Sequence, residues 1–166
     1  IIYNVIFNTN IYTEFNLEYD SIKKYANLND ISLTNISINE VSELITNIRS
    51  ISLPNPEQIP NVGSFFKNAI TKKTNIKEED YSLDELVLWE INSKVVKVGS
   101  ARLIELIKNQ LDKYDNVKLS ESHALVLVTN EHASQDEVIS FAKHIQDKVF
   151  KNFNIKLEIE PTVILN

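Results

Sequence analysis

Apolar positions in this chain change period several times, and each change predicts an element. Ile2, Val5, Ile6, Phe7, Ile11 and Tyr12 are β-branched or aromatic with little turn signal between them, which predicts a strand over 2–12. Residues 13–34 keep no strong period, and the polar run Asn27-Leu28-Asn29-Asp30 reads as a loop. Ser37-Ile38-Asn39-Glu40 is a capping box followed by Val41, Leu44, Ile45 and Ile48 at helical spacing, so a helix is expected over about 38–50. Pro54, Pro56 and Pro60 then impose an irregular connector, because proline lacks the N–H that a helix or central strand uses. A domain boundary belongs here, with 1–52 before it and 53–153 after it.

Gly63-Ser64-Phe65-Phe66-Lys67-Asn68 reads as a strand, in which Ser64 and Phe66 share one face. Thr71 to Asp80 is polar and reads as a surface loop, and Leu86–Ile91 is an apolar cluster of undecided type. Val95, Val96 and Val98 predict a strand ending at Gly99. Ser100 is placed to cap a helix whose apolar face is Leu103, Ile104, Ile107 and Leu111. Val117 and Leu119 begin another strand, and Ala124–Val128 make a short, wholly apolar, central one. A second capping box, Ser134-Gln135-Asp136-Glu137, opens the clearest amphipathic helix, with Val138, Phe141, Ala142, Ile145, Val149 and Phe150 on its apolar face. Asn154 suits a left-handed helix end. Ile155, Leu157 and Ile159 alternate with Lys156, Glu158 and Glu160 as a half-buried last strand over 154–166. Strands and helices mixed without a βαβ rhythm give an α+β class.

Composition narrows the chemistry. The chain has 166 residues, 43% hydrophobic and 24% charged, the balance of a soluble globular protein. A net charge of -6 argues against a general nucleic-acid binder or an anionic-membrane binder. There is no cysteine, which removes disulfides, thiolate metal sites and cysteine nucleophiles, and the three histidines, His123, His132 and His144, lack metal-ligand spacing. No apolar run is long enough to span a bilayer, so the expected location is the cytoplasm. With glycine only at Gly63 and Gly99, a glycine-rich phosphate loop is not expected. The chain contains no methionine and begins at Ile1, which points to the C-terminal part of something longer.

Taken alone, the Gly63–Asn68 run leaves two readings open: a buried strand with a satisfied serine, or a strand that offers a hydroxyl to a ligand. The run sits among ordered pieces, namely Leu53-Pro54-Asn55-Pro56, Asn61-Val62, Lys97, Leu103-Ile104-Glu105, Ala124–Val128, Ser134–Val138 and Phe153–Glu160. In that order and spacing, from about Tyr25 onward, the chain resembles the C-terminal half of the UDP-N-acetylenolpyruvoylglucosamine reductases, the MurB family of UDP-N-acetylmuramate dehydrogenases. The six-residue run is specific to that family and the other pieces are individually weak.

The resemblance implies a fold and an activity. Residues 1–52 would close an FAD-binding α+β domain, 53–153 would form a small α+β substrate domain, and 154–166 would return to the flavin side. The family uses NADPH and FAD to reduce UDP-N-acetylenolpyruvoylglucosamine in peptidoglycan precursor synthesis. By motif match Ser64 would be the proton donor and Glu160 the catalytic carboxylate, with Glu158 the alternative if the register slips. Asn68 and Tyr25 would contact the substrate diphosphate, Tyr25 from a mobile loop. The FAD-binding segment would lie upstream of Ile1, so the isolated chain is expected to be inactive. The family's phosphate-binding lysine is Ser52 here, and its glutamine before alanine-leucine-valine is His123. Those departures motivate a second reading, a decayed or repurposed non-catalytic domain that binds a UDP-sugar.

Overall fold

The computed structural model describes residues 3–8 and 14–164. The chain divides into two compact units, Ile1–Arg49 and Ser50–Asn166. Among the described residues the architecture is mixed α+β, with four α-helices and two small antiparallel sheets.

In the first unit, the segment expected as a loop contains a helix, α1, over Asp20–Leu28. Its only buried residues are Ile22 and Ala26, one turn apart, so the periodic signal is too thin to stand out in the sequence. The polar run is where the helix ends: Asp30 is left-handed (φ 53°) and the Ile31 N–H reaches back to the Ala26 carbonyl at 2.9 Å. Helix α2 spans Ile38–Ser52 and buries Val41 and Leu44. Its capping box forms as expected: the Ser37 N–H donates to Glu40 Oε2 at 2.8 Å, and the Glu40 N–H donates to Ser37 Oγ at 3.3 Å. The Ser37 hydroxyl also donates to Glu40 Oε2, at 2.6 Å, and this bond, followed by that from the Ser37 N–H, holds the Glu40 carboxyl below the usual carboxylate range. The strand expected over 2–12 is not formed in its described part. Residues 3–8 are exposed and pair with no described strand, and β-propensity makes no ladder without a partner. Ile2, Ile11 and Tyr12 lie outside the described residues.

In the second unit, β1 (Ala69–Lys72), β2 (Leu88–Glu90) and β3 (Val95–Val98) form an antiparallel sheet in the order β1-β3-β2. Val96 and Val98 enter the core, while Lys97 faces out between Ile70 and Trp89, its ammonium 5.1 Å from the Trp89 ring centroid. The polar stretch after the motif is thus partly sheet, followed by a 3-10 turn at Lys73–Asn75 and anchored by buried Ile76. β4 (Val117–Leu119) pairs with β5 (Leu127–Thr129). β5 is flanked on its other side by the segment before β1, where the Thr129 N–H donates to the Pro60 carbonyl at 3.1 Å and Ser64 bridges Val126.

Helix α3 (Ser100–Ile107) buries Leu103, Ile104 and Ile107, while Leu111 lies past a further 3-10 turn. Helix α4 (Gln135–Phe153) packs Phe141, Ala142, Ile145, Val149 and Phe153 into the same core. Phe150, expected on that face, is 44% exposed beneath the Lys156 ammonium; Phe153 takes the core place, one turn past Val149. The second capping box is only half made. Ser134 Oγ accepts the Glu137 N–H at 3.1 Å, but the Glu137 carboxylate turns to the N–H and side chain of Asn116, at 3.0 and 2.9 Å. Asn154 ends α4 in the left-handed conformation (φ 56°), as expected.

Gly99 shows how tightly β2 closes on the start of α3. Its N–H donates to the Val87 carbonyl at 2.8 Å, and a Cβ built there would lie 3.0 Å from the Val87 Cβ and 3.5 Å from the Trp89 ring. Gly99→Ala is expected to cost about 1–3 kcal/mol through overpacking. Urea unfolding measures the loss. The emission of Trp89, the only tryptophan, should shift in the folded state. Unchanged stability would show that Val87 yields freely.

Candidate functional site

The Gly63–Asn68 run is set by a side-chain knot before it. Asn61 Nδ2 donates to the Ile59 carbonyl at 2.8 Å, and Asn61 Oδ1 accepts the Gly63 N–H at 3.0 Å. Gly63 then adopts φ 75°, where a glycine carries no steric cost. From there the chain runs extended between two neighbours. On one side the Phe65 N–H donates to the Leu125 carbonyl at 2.7 Å. On the other, the Lys67 N–H donates to Glu158 and the Glu160 N–H donates to Phe65, both at 2.9 Å, with Phe66 opposite Ile159. Phe65 and Phe66 are both buried, in an edge-to-face pair with centroids 5.5 Å apart.

Ser64 is exposed, and its hydroxyl makes no hydrogen bond among the described residues. The reading as a buried strand with a satisfied serine is therefore corrected. The core at this point is filled by the two phenylalanines, and the serine is left to solvent.

This register separates two carboxylates that look equivalent in the sequence. Glu158 lies across from Lys67, and the two side chains form an ion pair. Its hydrogen bond and then its charge raise the Lys67 ammonium above the usual lysine range, with a smaller contribution from the charge of Glu160. Glu160, across from Phe65, is exposed, and its carboxylate accepts no hydrogen bond among the described residues. The backbones of Ser64 and Glu160 are thus brought within one residue of register on adjoining segments, although no hydrogen bond joins their side chains.

Asn68 is tied to the start of α3. Its Oδ1 accepts the Ser100 N–H at 3.0 Å, while the fully buried Ser100 hydroxyl donates to the Lys67 carbonyl at 2.8 Å. Ser100 was expected to cap α3 itself. Gly99 occupies the N-cap, and the capping oxygen comes from Asn68, 32 residues earlier. No local pattern signals such a cap. Tyr25 lies in the other unit, half-buried on α1 rather than on a loop, because Ile22 and Ala26 bury that helix's face. Ser52 is the last residue of α2.

His123 is half-buried, and its Nδ1 accepts the Leu125 N–H at 3.2 Å. It lines a groove of about 1120 Å³ that also includes Arg102, Lys108, Tyr114, Leu119 and Phe141. Ser64, Asn68 and Glu160 do not line that groove. The motif and the returning segment beside it expose the Ser64 hydroxyl, the Asn68 amide and the Glu160 carboxylate. Among the described residues no group of three or more metal-ligating side chains comes together. No helix there is long and apolar enough to cross a membrane.

Comparison with known proteins matches residues 55–164 to a family model described as UDP-N-acetylenolpyruvoylglucosamine reductase, C-terminal domain. Relatives bearing the enzyme's name include one from Flavobacterium johnsoniae, 33% identical over 140 residues, covering 82% of this chain and 42% of the relative. Another, from Buchnera aphidicola subsp. Baizongia pistaciae, is 33% identical over 84% of this chain and 42% of its own length. One from Xanthomonas campestris pv. campestris is 30% identical over 99% of this chain and 47% of its own. The chain spans less than half the length of these relatives.

Proposed function

The chain belongs to the UDP-N-acetylenolpyruvoylglucosamine reductase family through its C-terminal domain, and from that premise we propose that it acts as the C-terminal portion of a cytoplasmic reductase of peptidoglycan precursor synthesis. The substrate would be UDP-N-acetylenolpyruvoylglucosamine and the product UDP-N-acetylmuramate. The observation that carries this reading is the exposed Ser64 hydroxyl, which makes no hydrogen bond among the described residues, in a run that the family match covers.

FAD, reduced by NADPH, would supply the hydride that adds to one alkene carbon of the enolpyruvyl ether. The described residues fit the other half of that reaction. An exposed hydroxyl and an exposed carboxylate on adjoining segments suit proton delivery and charge control, but no glycine-rich cradle for a dinucleotide accompanies them. The residues that hold the flavin would therefore belong to an upstream segment, with residues 1–52 closing that domain.

Ser64 Oγ would give its proton to the carbon next to the one that receives hydride, completing reduction of the double bond. A hydroxyl both donates and accepts a proton, but it is a weak acid and needs help from its surroundings. Glu160 would control charge on the enol-like intermediate. Glu158 is the weaker candidate because Lys67 already engages it. Asn68 would donate its side-chain N–H groups to the substrate diphosphate, and Tyr25 is retained as a substrate contact on the family motif alone.

The direct test uses the full-length protein with its upstream segment. NADPH oxidation should depend on bound FAD and on added enolpyruvyl UDP-sugar, one NADPH per sugar reduced. Saturable binding of the sugar by calorimetry, with no oxidation under any flavin loading, would instead establish the non-catalytic reading that Ser52 and His123 motivate.

A further inference from the structure

We propose that Ser100 is a positioning residue for Asn68: its backbone N–H locks the Asn68 side-chain amide with the oxygen turned inward and the NH2 group turned toward a bound diphosphate. The proposal rests on the reading of Asn68 as a substrate contact and adds what sets its orientation.

An asparagine amide has two ends of opposite character and nearly equal shape. On an exposed residue the two orientations exchange freely, and in one of them the amide oxygen would face the diphosphate and repel it. Here the choice is made from behind. The Ser100 N–H lies 3.0 Å from Asn68 Oδ1, and a donor is satisfied only by the oxygen end. Flipping the amide would set NH2 against N–H and leave a donor at the fully buried Ser100 unpaired. The two N–H bonds of Nδ2 are therefore directed away from α3, and Asn68 is exposed.

Ser100 holds this arrangement at two points. Its hydroxyl donates to the carbonyl of Lys67, the residue before Asn68, so the backbone and the side chain of this dipeptide are both pinned to the first turn of α3. Gly99, whose N–H donates to the Val87 carbonyl and where an added Cβ would lie 3.0 Å from the Val87 Cβ, sets where that turn begins. The same geometry accounts for asparagine rather than aspartate at position 68. Aspartate would satisfy the Ser100 N–H equally well but would turn a second anionic oxygen toward the ligand.

The test compares variants of the full-length protein, with UDP as the binding probe and asparagine-selective 15N labelling as the structural readout. Ser100→Ala removes the hydroxyl and keeps the N–H; UDP affinity should fall by up to about threefold as the Lys67 pin is lost, while the Asn68 side-chain resonances keep the bonded orientation. Ser100→Pro removes the N–H at the first helical position, where proline is tolerated. The Asn68 resonances should then move toward those of a free amide, and UDP affinity should fall about tenfold. Asn68→Asp should keep the melting temperature, because the cap survives, and lose UDP binding by tenfold or more. Wild-type Asn68 resonances and UDP affinity in Ser100→Pro would overturn the proposal. If that variant does not fold, hydrogen exchange decides: the Ser100 N–H should exchange slowly in the wild type and at least tenfold faster in Asn68→Ala, and equal rates would overturn it. Absence of UDP binding by the wild type would defeat the substrate-contact reading alone, while the resonances would still judge the orientation.

Discussion

Ser64→Ala in the full-length protein is expected to leave flavin reduction by NADPH at its normal rate and to slow reduction of the enolpyruvyl UDP-sugar by about 10²–10⁴-fold, the usual worth of a positioned proton donor. The separation follows from where the residue sits. Its hydroxyl is exposed and makes no hydrogen bond among the described residues, and the bridge to Val126 is made by backbone. Removing one exposed oxygen should therefore change folding stability by less than about 0.5 kcal/mol, so lost turnover would report chemistry and not structure. Stopped-flow spectroscopy of the flavin resolves the two half-reactions. Normal decay of the reduced flavin on mixing with substrate would end the assignment of Ser64 as proton donor.

The second large effect is structural. Phe66→Ala in this chain should reduce stability by about 3–5 kcal/mol, the range for removing a buried phenylalanine. Phe66 is 1% exposed, lies edge-to-face on Phe65, and faces Ile159 on the returning segment. That loss is a large share of the ~5–15 kcal/mol that holds a typical domain together. Urea unfolding should show a lower midpoint with an unchanged slope. Phe66→Leu, which keeps most of the volume, should cost less than half as much. Because Phe66 lies between Ser64 and Lys67, its loss should also loosen the segment carrying Glu158 and Glu160. A loss under 1 kcal/mol would mean that the motif is anchored elsewhere.

Elements governed by neighbours in sequence were the legible ones. Ser134, the apolar period of α4 and the left-handed Asn154 mark that helix from end to end, and Val95–Val98 was equally plain; the alternation of 155–160 returns as alternating burial with one bridge at Ile159, not as the strand expected there. Helix α1 was not legible, because two buried positions make no period that stands out from a loop. At the N-terminus the opposite error arises: Val5, Ile6 and Phe7 have strand-like side chains, yet the described residues offer their backbone no partner. Phe150 and Phe153 are both apolar near the end of α4, and only the packing of that turn selects the second for the core.

The sequence by itself determined the α+β class, the ends of the longest helix and, through the Gly63–Asn68 run and its ordered companions, the family. Tertiary structure alone decided which of the chemically suitable side chains remain available. Glu158 and Glu160 are two positions apart with the same alternation and both are exposed, but Lys67, 91 residues before Glu158, engages the first and leaves the second without a hydrogen bond among the described residues. Asn68 carries two donors and an acceptor, and the Ser100 N–H takes the acceptor. Side-chain chemistry is written residue by residue, whereas availability depends on hydrogen-bond partners that distant segments bring only when the chain is folded.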